Sequence, residues 1–132
     1  MAVQIDDRTL DFGLNELDAN ATGIYICASA EPTTYAIATT TASTTGALGW
    51  KTSAAGGLFG SPAAATDANG RRVTSTSITD GTIVTNGTAH WWAVVDSANS
   101  RLLAHGTLQA DQAVTGGNSF TLSQFDIVVK AR

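Results

Sequence analysis

The sequence predicts a single all-β domain over residues 1–132, arranged as an antiparallel β-sandwich or a small jelly roll. Short segments rich in Val, Ile, Thr and aromatic residues recur in the second half of the chain, separated by Gly, Asn or Asp turns. The alternation of strands and helices that marks a parallel α/β sheet is missing from the sequence. A chain of 132 residues can bury one core, so we expect no disulfide framework and no structural metal.

The first part of the chain predicts one short N-terminal helix followed by one strand. Leu10, Leu14 and Leu17 are spaced by four and three residues, which places them on one face of a helix over residues 8–18. Residues 22–28 carry β-branched and aromatic side chains after a glycine, so we expect them to form a strand.

Residues 39–66 predict a loop-rich excursion from the sheet. The segment TTTASTTGA at 39–47 has low complexity, and threonine runs form helices poorly, so at most one helical turn is expected before it, beginning at Thr33 or Thr34. Weak strands are expected over residues 47–51 and 58–65. Because the segment has little apolar mass, we expect contact with a neighbouring subunit to help order it.

Turn signals divide the second half into strands. The predicted turns are DANG at 67–70, DG at 80–81, NG at 86–87, SANS at 97–100 and TGGN at 115–118. The NG pair is typical of a tight hairpin. The predicted strands are 71–78, 82–85, 88–96, 101–106 with its extension through 114, and two more that contain residues 120–122 and 125–129. The strand over 88–96 is rich in Trp and Val, which predicts a central strand buried on both faces.

Charge is sparse along this chain. Charged residues make up 14% of the sequence, against about 25% in a typical protein. The net charge is −4 and the basic residues are scattered, so we expect no nucleic-acid partner. Six of the eleven acidic residues lie between Asp6 and Glu31, which predicts a solvated first helix or, alternatively, an acidic docking face. A surface so poor in charge favours contact with other proteins.

The sequence predicts neither a membrane span nor a leader. The opening residues MAVQIDDRTL lack the apolar stretch of a signal peptide, and no apolar run approaches about 20 residues. We therefore expect no membrane partner, and a protein that is made in the cytoplasm and stays there or leaves as part of a larger assembly.

The residues that could carry chemistry do not form a recognisable motif. A hydrolase triad would need Ser97 or Ser100, His90 or His105, and Asp96, but turn chemistry already explains the serines and no G-x-S-x-G motif occurs. The two histidines could face each other across a hairpin, yet a third metal ligand is missing. We therefore expect a non-enzymatic protein without a catalytic site, a metal or another cofactor.

Two smaller features are also interpreted as structural and not as functional sites. Residues 67–70 resemble the start of a calcium loop but lack the later acidic ligand, so they are interpreted as a turn. Cys27 lies in the apolar run IYICA at 24–28, which predicts a buried small hydrophobic residue and not a reactive thiol.

The adjacent pair Trp91 and Trp92 stands out in this sequence. Adjacent strand residues point to opposite faces of a sheet, so one indole should fill the core. The other indole should pack on a second layer, anchor a subunit interface or offer a platform for carbohydrate. Together with Trp50 and Phe59 of the 39–66 segment, these two residues are our predicted interface residues.

The order of several short motifs resembles that of small all-β structural proteins encoded among the virion genes of tailed bacteriophages, including head-decoration proteins. These motifs are LDFGLNEL (10–17), IYIC (24–27), EPTTYA (31–36), NGR (69–71), GTAH (87–90), VVD (94–96), NSRLL (99–103), VTGGN (114–118) and FDI (125–127). They cover most of the chain outside residues 39–66.

This resemblance implies a virion component that is assembled in the host cytoplasm. The expected function is that of a capsid decoration (cement) protein, with the major capsid protein or other virion proteins as partners. A homo-oligomer is expected, and a closed trimer would suit a symmetric shell. The alternative is a module of the tail, collar or fibre, with possible binding to the host surface.

Overall fold

The structure, a computed structural model, describes residues 7–65 and 70–130, with side chains described from Gly13 onward. The predicted fold class is confirmed, because the chain is mainly β with antiparallel sheets and two short helices. The elements are α1 (Asp7–Asn20), β1 (Gly23–Cys27), α2 (Tyr35–Thr39), β2 (Ala47–Thr52), β3 (Ala63–Ala64), β4 (Gly70–Thr74), β5 (Ile78–Ile83), β6 (Gly87–Asp96), β7 (Arg101–Val114), β8 (Ser119–Leu122) and β9 (Asp126–Lys130). The turn predicted over 67–70 lies largely outside the described residues.

Two antiparallel sheets form the framework. The larger has six strands in the order β7-β6-β1-β2-β5-β8 and curls into a half-barrel. The smaller has three strands in the order β3-β4-β9. Although β7 and β8 are consecutive in the chain, they lie at opposite ends of the larger sheet's order and are not paired with each other.

The main core lies on the inner side of the larger sheet. Leu14 and Leu17 of α1 are buried there with Val73 of β4, and Ile24 and Val94 supply the sheet side. Side chains of this size contribute about 1.5–3 kcal/mol each when fully buried. Burial of Leu14 and Leu17 therefore fixes α1 in this core, where its main contacts are with β4.

The outer side of the larger sheet is covered in part by α2. Side chains alternate along β1, so Ile24 faces the main core and Cys27 belongs to a smaller outer cluster with Ala38 of α2. The helix begins after Thr34, whose Oγ1 accepts a hydrogen bond from the Ile37 N–H at 3.2 Å. The single helical turn expected after Thr33 or Thr34 is thus present as a second short helix.

The prediction for residues 39–66 is wrong about its first strand. Strand β2 is not weak; it lies between β1 and β5, and Ala47 and Leu48 are fully buried. A side chain at Gly49 would lie 2.2 Å from the Thr82 carbonyl oxygen, so this glycine permits the close approach of β5. The chain's own sheet therefore orders this strand. The strand predicted over 58–65 shrinks to β3 and an isolated bridge between Phe59 and Ser75.

Two predicted turns are also wrong. Asp80 and Gly81 lie inside β5, where the pairing with β8 shifts register, and Gly81 leaves room for the Phe120 ring. Asn86 does not begin a hairpin, since β2 and β1 separate β5 from β6 in the sheet. Its Oδ1 instead accepts the Gly116 N–H at 2.7 Å. At both places contacts with residues distant in sequence override the local turn preference.

Candidate interaction surface

A row of side chains crosses the outer face of the larger sheet. Tyr25 of β1 pairs with Trp50 of β2 on one side and with Ala93 of β6 on the other, and Ala93 pairs with His105 of β7. Directly paired residues share a face, so the two rings and the imidazole are on the same side. We call Tyr25, Trp50, Trp91 and His105 the outer aromatic face.

The Tyr25 and Trp50 rings pack against each other at the centre of this face. Their centroids are 5.4 Å apart with an interplanar angle of 40°. Gly23 makes room for the tyrosine, because a Cβ there would lie 2.9 Å from its ring. Burial raises the pKa of the Tyr25 hydroxyl, with smaller contributions from Tyr35 and Cys27. Both aromatic rings stay half-buried and leave part of their surface to solvent.

Trp91 is held in place on the same face. Its indole N–H donates to the Ser29 carbonyl at 3.3 Å, and its ring lies 6.0 Å from the His105 ring. His105 Nε2 in turn lies 3.0 Å from a carboxylate oxygen of Glu31. These contacts fix the half-buried indole in one orientation, so it could meet a partner with little loss of side-chain entropy.

Trp92 points to the other face, as the adjacency of the two tryptophans predicted. Its ring packs at a tilt against Phe125 with centroids 4.6 Å apart, and Phe125 meets Phe59 edge-on at 6.1 Å. Phe59 is only 4% exposed. Its prediction as an interface residue is therefore corrected: it belongs to the main core, and a backbone bridge joins it to Ser75, which follows β4.

A groove of about 330 Å³ opens beside Trp92. One wall comes from residues 107–110 and Gln112 of β7, and the other comes from residues 121–125, which end β8 and lead into β9. The apolar part is formed by Trp92, Leu108, Leu122 and Phe125, and the described lining contains no charged residue. The residues of these walls were not among the predicted site residues, since they are far apart in sequence.

The structure does not assemble the hydrolase triad. Asp96 is buried and accepts hydrogen bonds from the Ala98 N–H at 3.1 Å and the Asn99 amide at 2.8 Å, so both carboxylate oxygens serve the β6–β7 turn. His90 Nδ1 lies 2.6 Å from an Asp111 oxygen, and His105 pairs with Glu31. Within the described residues, no cluster of three metal-ligating side chains occurs.

Cys27 is buried, as the sequence predicted. Its Sγ lies 3.6 Å from the Ala38 carbonyl oxygen, and burial raises the pKa of the thiol to about 12. A thiol with such a pKa stays protonated near neutral pH and is a poor nucleophile.

The chain matches no family model, no curated protein and no solved structure. The likeness of its short motifs to phage virion proteins therefore stays a prediction. Across residues 7–65 and 70–130, no helix is long and apolar enough to cross a membrane.

Proposed function

We propose that the protein is a non-enzymatic structural component of a bacteriophage virion that acts as a capsid decoration (cement) protein. In this role it bridges adjacent subunits of the major capsid protein from the outside of the shell. The observation that carries the proposal is the outer aromatic face, an ordered group of half-buried rings on a rigid sheet.

The chemistry of this face suits protein contact. Tyr25, Trp50 and Trp91 offer large apolar areas whose orientations are already fixed. Trp and Tyr are the residue types that contribute most at protein interfaces, and charged residues are depleted at interface centres. A chain with 14% charged residues and such a face is better suited to binding a neighbouring protein than to free diffusion.

The proposed mechanism relies on repetition. A capsid presents the same site many times, so weak contacts made by linked copies add up to strong attachment. A closed homo-oligomer, such as a trimer at a three-fold axis, would supply those linked copies.

The test uses capsids that lack the protein. Purified protein should bind them saturably in a co-sedimentation assay. Replacing Trp50 and Trp91 together by alanine should weaken binding by more than about tenfold, since tryptophan anchors of interfaces each contribute on this scale. The matched control replaces Val128 and Val129 of β9 by alanine, because these are exposed apolar residues on the other sheet.

Two results would count against the decoration role. The first is capsid binding that never saturates or does not occur. The second is a Trp50→Ala single variant that is folded by circular dichroism and, like the double variant, binds as tightly as the natural chain.

A second candidate is a module of the tail, collar or fibre that binds the host surface. The aromatic groove beside Trp92 favours this candidate, since a groove of this kind can bind a small ligand, and capsid contact through the outer aromatic face does not require a groove. Immunogold labelling of virions distinguishes the two: label confined to tails favours this candidate, and label over heads excludes it.

A further inference from the structure

We propose that the groove between β7 and the β8–β9 segment binds uncharged sugar residues of an oligosaccharide. The inference goes beyond the structural role proposed above and does not depend on where the protein sits in a particle. It rests on the floor of the groove, its two amide-bearing walls, its lack of charge and the irregular path of β7.

The floor of the groove is aromatic. The rings of Trp92 and Phe125 have centroids 4.6 Å apart, are tilted by 36° to each other and line the groove together. Aromatic faces bind the C–H surface of a sugar ring through apolar and dispersion contacts. The indole N–H of Trp92 has no hydrogen-bond partner within the described residues, whereas that of Trp91 has one.

The walls carry side-chain amides that are available to hydrogen-bond a ligand. Gln109 of β7 and Gln124 of the β8–β9 segment are exposed, and within the described part of the chain neither side chain has a hydrogen-bond partner. Each amide offers both a donor and an acceptor, which matches the alternating donor and acceptor capacity of sugar hydroxyls. The exposed hydroxyl of Ser123 adds to the same walls.

The absence of charged residues from the described lining indicates an uncharged ligand. The described lining contains no Asp, Glu, Lys, Arg or His. An anionic or cationic ligand would lose hydration there without gaining an opposite charge. A neutral, hydroxyl-rich ligand loses little on entry and regains hydrogen bonds from the amides. A volume of about 330 Å³ lies at the lower end of the range of small-ligand sites, about 300–1,000 Å³.

The path of β7 disfavours an extended peptide as the occupant. Ala89 pairs with Gln112 and Trp91 pairs with Thr107, so residues 108–111 of β7 stand opposite a single residue, His90. A peptide that adds to a sheet edge needs a regular ladder of backbone donors and acceptors, and this bulge interrupts it. The contact of 2.6 Å between His90 and Asp111 pins the bulge, which holds Gln109 in the wall.

The experiment follows the three indole N–H signals of the folded, full-length chain in an ¹⁵N NMR spectrum. Maltohexaose, cellohexaose and chitohexaose are titrated separately as neutral probes. At least one should shift the Trp92 signal saturably while the Trp50 and Trp91 signals stay in place. Glucose and N-acetylglucosamine should bind more weakly than the chains, because an open groove contacts more than one sugar ring.

The matched variants keep the fold intact. Gln109→Ala with Gln124→Ala removes two exposed amides and should raise the Kd of the binding oligosaccharide about 30-fold, since two ordinary hydrogen bonds contribute about 2 kcal/mol together. The control is Thr52→Ala with Thr88→Ala, which removes two exposed polar groups outside the groove and should leave the Kd unchanged.

Several results would overturn the assignment. One is that no oligosaccharide shifts the Trp92 signal at millimolar concentration. Another is that the glutamine double variant binds as tightly as the natural chain. A neutral Thr-Val peptide that shifts Trp92 when the oligosaccharides do not would make the groove a peptide site instead.

Discussion

Replacing Leu48 by alanine tests whether the Thr- and Ala-rich segment is built into the protein's own sheet. Leu48 is fully buried in β2, and its carbonyl accepts the Val84 N–H at 2.9 Å. Truncating a buried leucine costs about 2–5 kcal/mol through lost burial and the cavity left behind. For a chain of this length each kcal/mol lowers Tm by roughly 4 °C, so we expect a decrease of at least about 8 °C.

Urea unfolding followed by tryptophan fluorescence measures this change in the free energy of unfolding. The control is Leu102→Ala, the same truncation at a partly exposed position of the outer side, for which we expect a loss of about 1 kcal/mol. If Leu48→Ala costs no more than Leu102→Ala in the isolated protein, β2 is not a central strand and a partner must organise the segment.

Three further changes test other parts of the structure. Gly81→Ala places a methyl group about 2.2 Å from the Phe120 ring, so it should lower the free energy of unfolding by about 1–3 kcal/mol in urea; an unchanged midpoint would contradict the packing. Cys27, with its pKa raised to about 12, should resist a thiol reagent at pH 8 and react once urea unfolds the chain; fast labelling of the native protein would refute its burial. The pKa of Asp126 is lowered by the Thr74 hydroxyl and then by a neighbouring arginine. Its stabilising contribution is therefore present above the unfolded pKa of about 4 and is lost as pH falls through the lower folded value, so Asp126→Asn should flatten the acid limb of a stability–pH curve.

The outer aromatic face and the groove can serve different ligands at once. Trp91 and Trp92 are neighbours in β6 and point to opposite faces of the sheet, so a partner on one face leaves the other accessible. A decoration protein attached through Trp50 and Trp91 would therefore keep its groove free to bind sugar.

The elements that sequence predicted well are those with local signals. The leucine spacing predicted the first helix, which runs over Asp7–Asn20, and the SANS turn at 97–100 predicted the pairing of β6 with β7. Strand β2 was underestimated because Ala47 and Gly49 look like loop residues. Their small size is what a tightly flanked central strand needs, and only the positions of β1 and β5 reveal it.

The candidate sites, like the strands and helices, were predictable from sequence only where the signal is local. Alternation along β6 was enough to predict that the two adjacent tryptophans face apart. The burial of Phe59 was not predictable, since it depends on contacts with Phe125 and Ser75, which are distant in sequence. Nor was the groove, because the bulge at residues 108–111 and the segment at 121–125 meet only in the folded chain.

An electron-microscopy map of the assembled particle tests the central proposal most directly. We predict that copies of the protein lie on the head, with Trp50 and Trp91 covered by the capsid protein or by a second copy. A map in which the outer aromatic face of every copy is open to solvent, or in which the protein occurs only on the tail, would contradict the proposal.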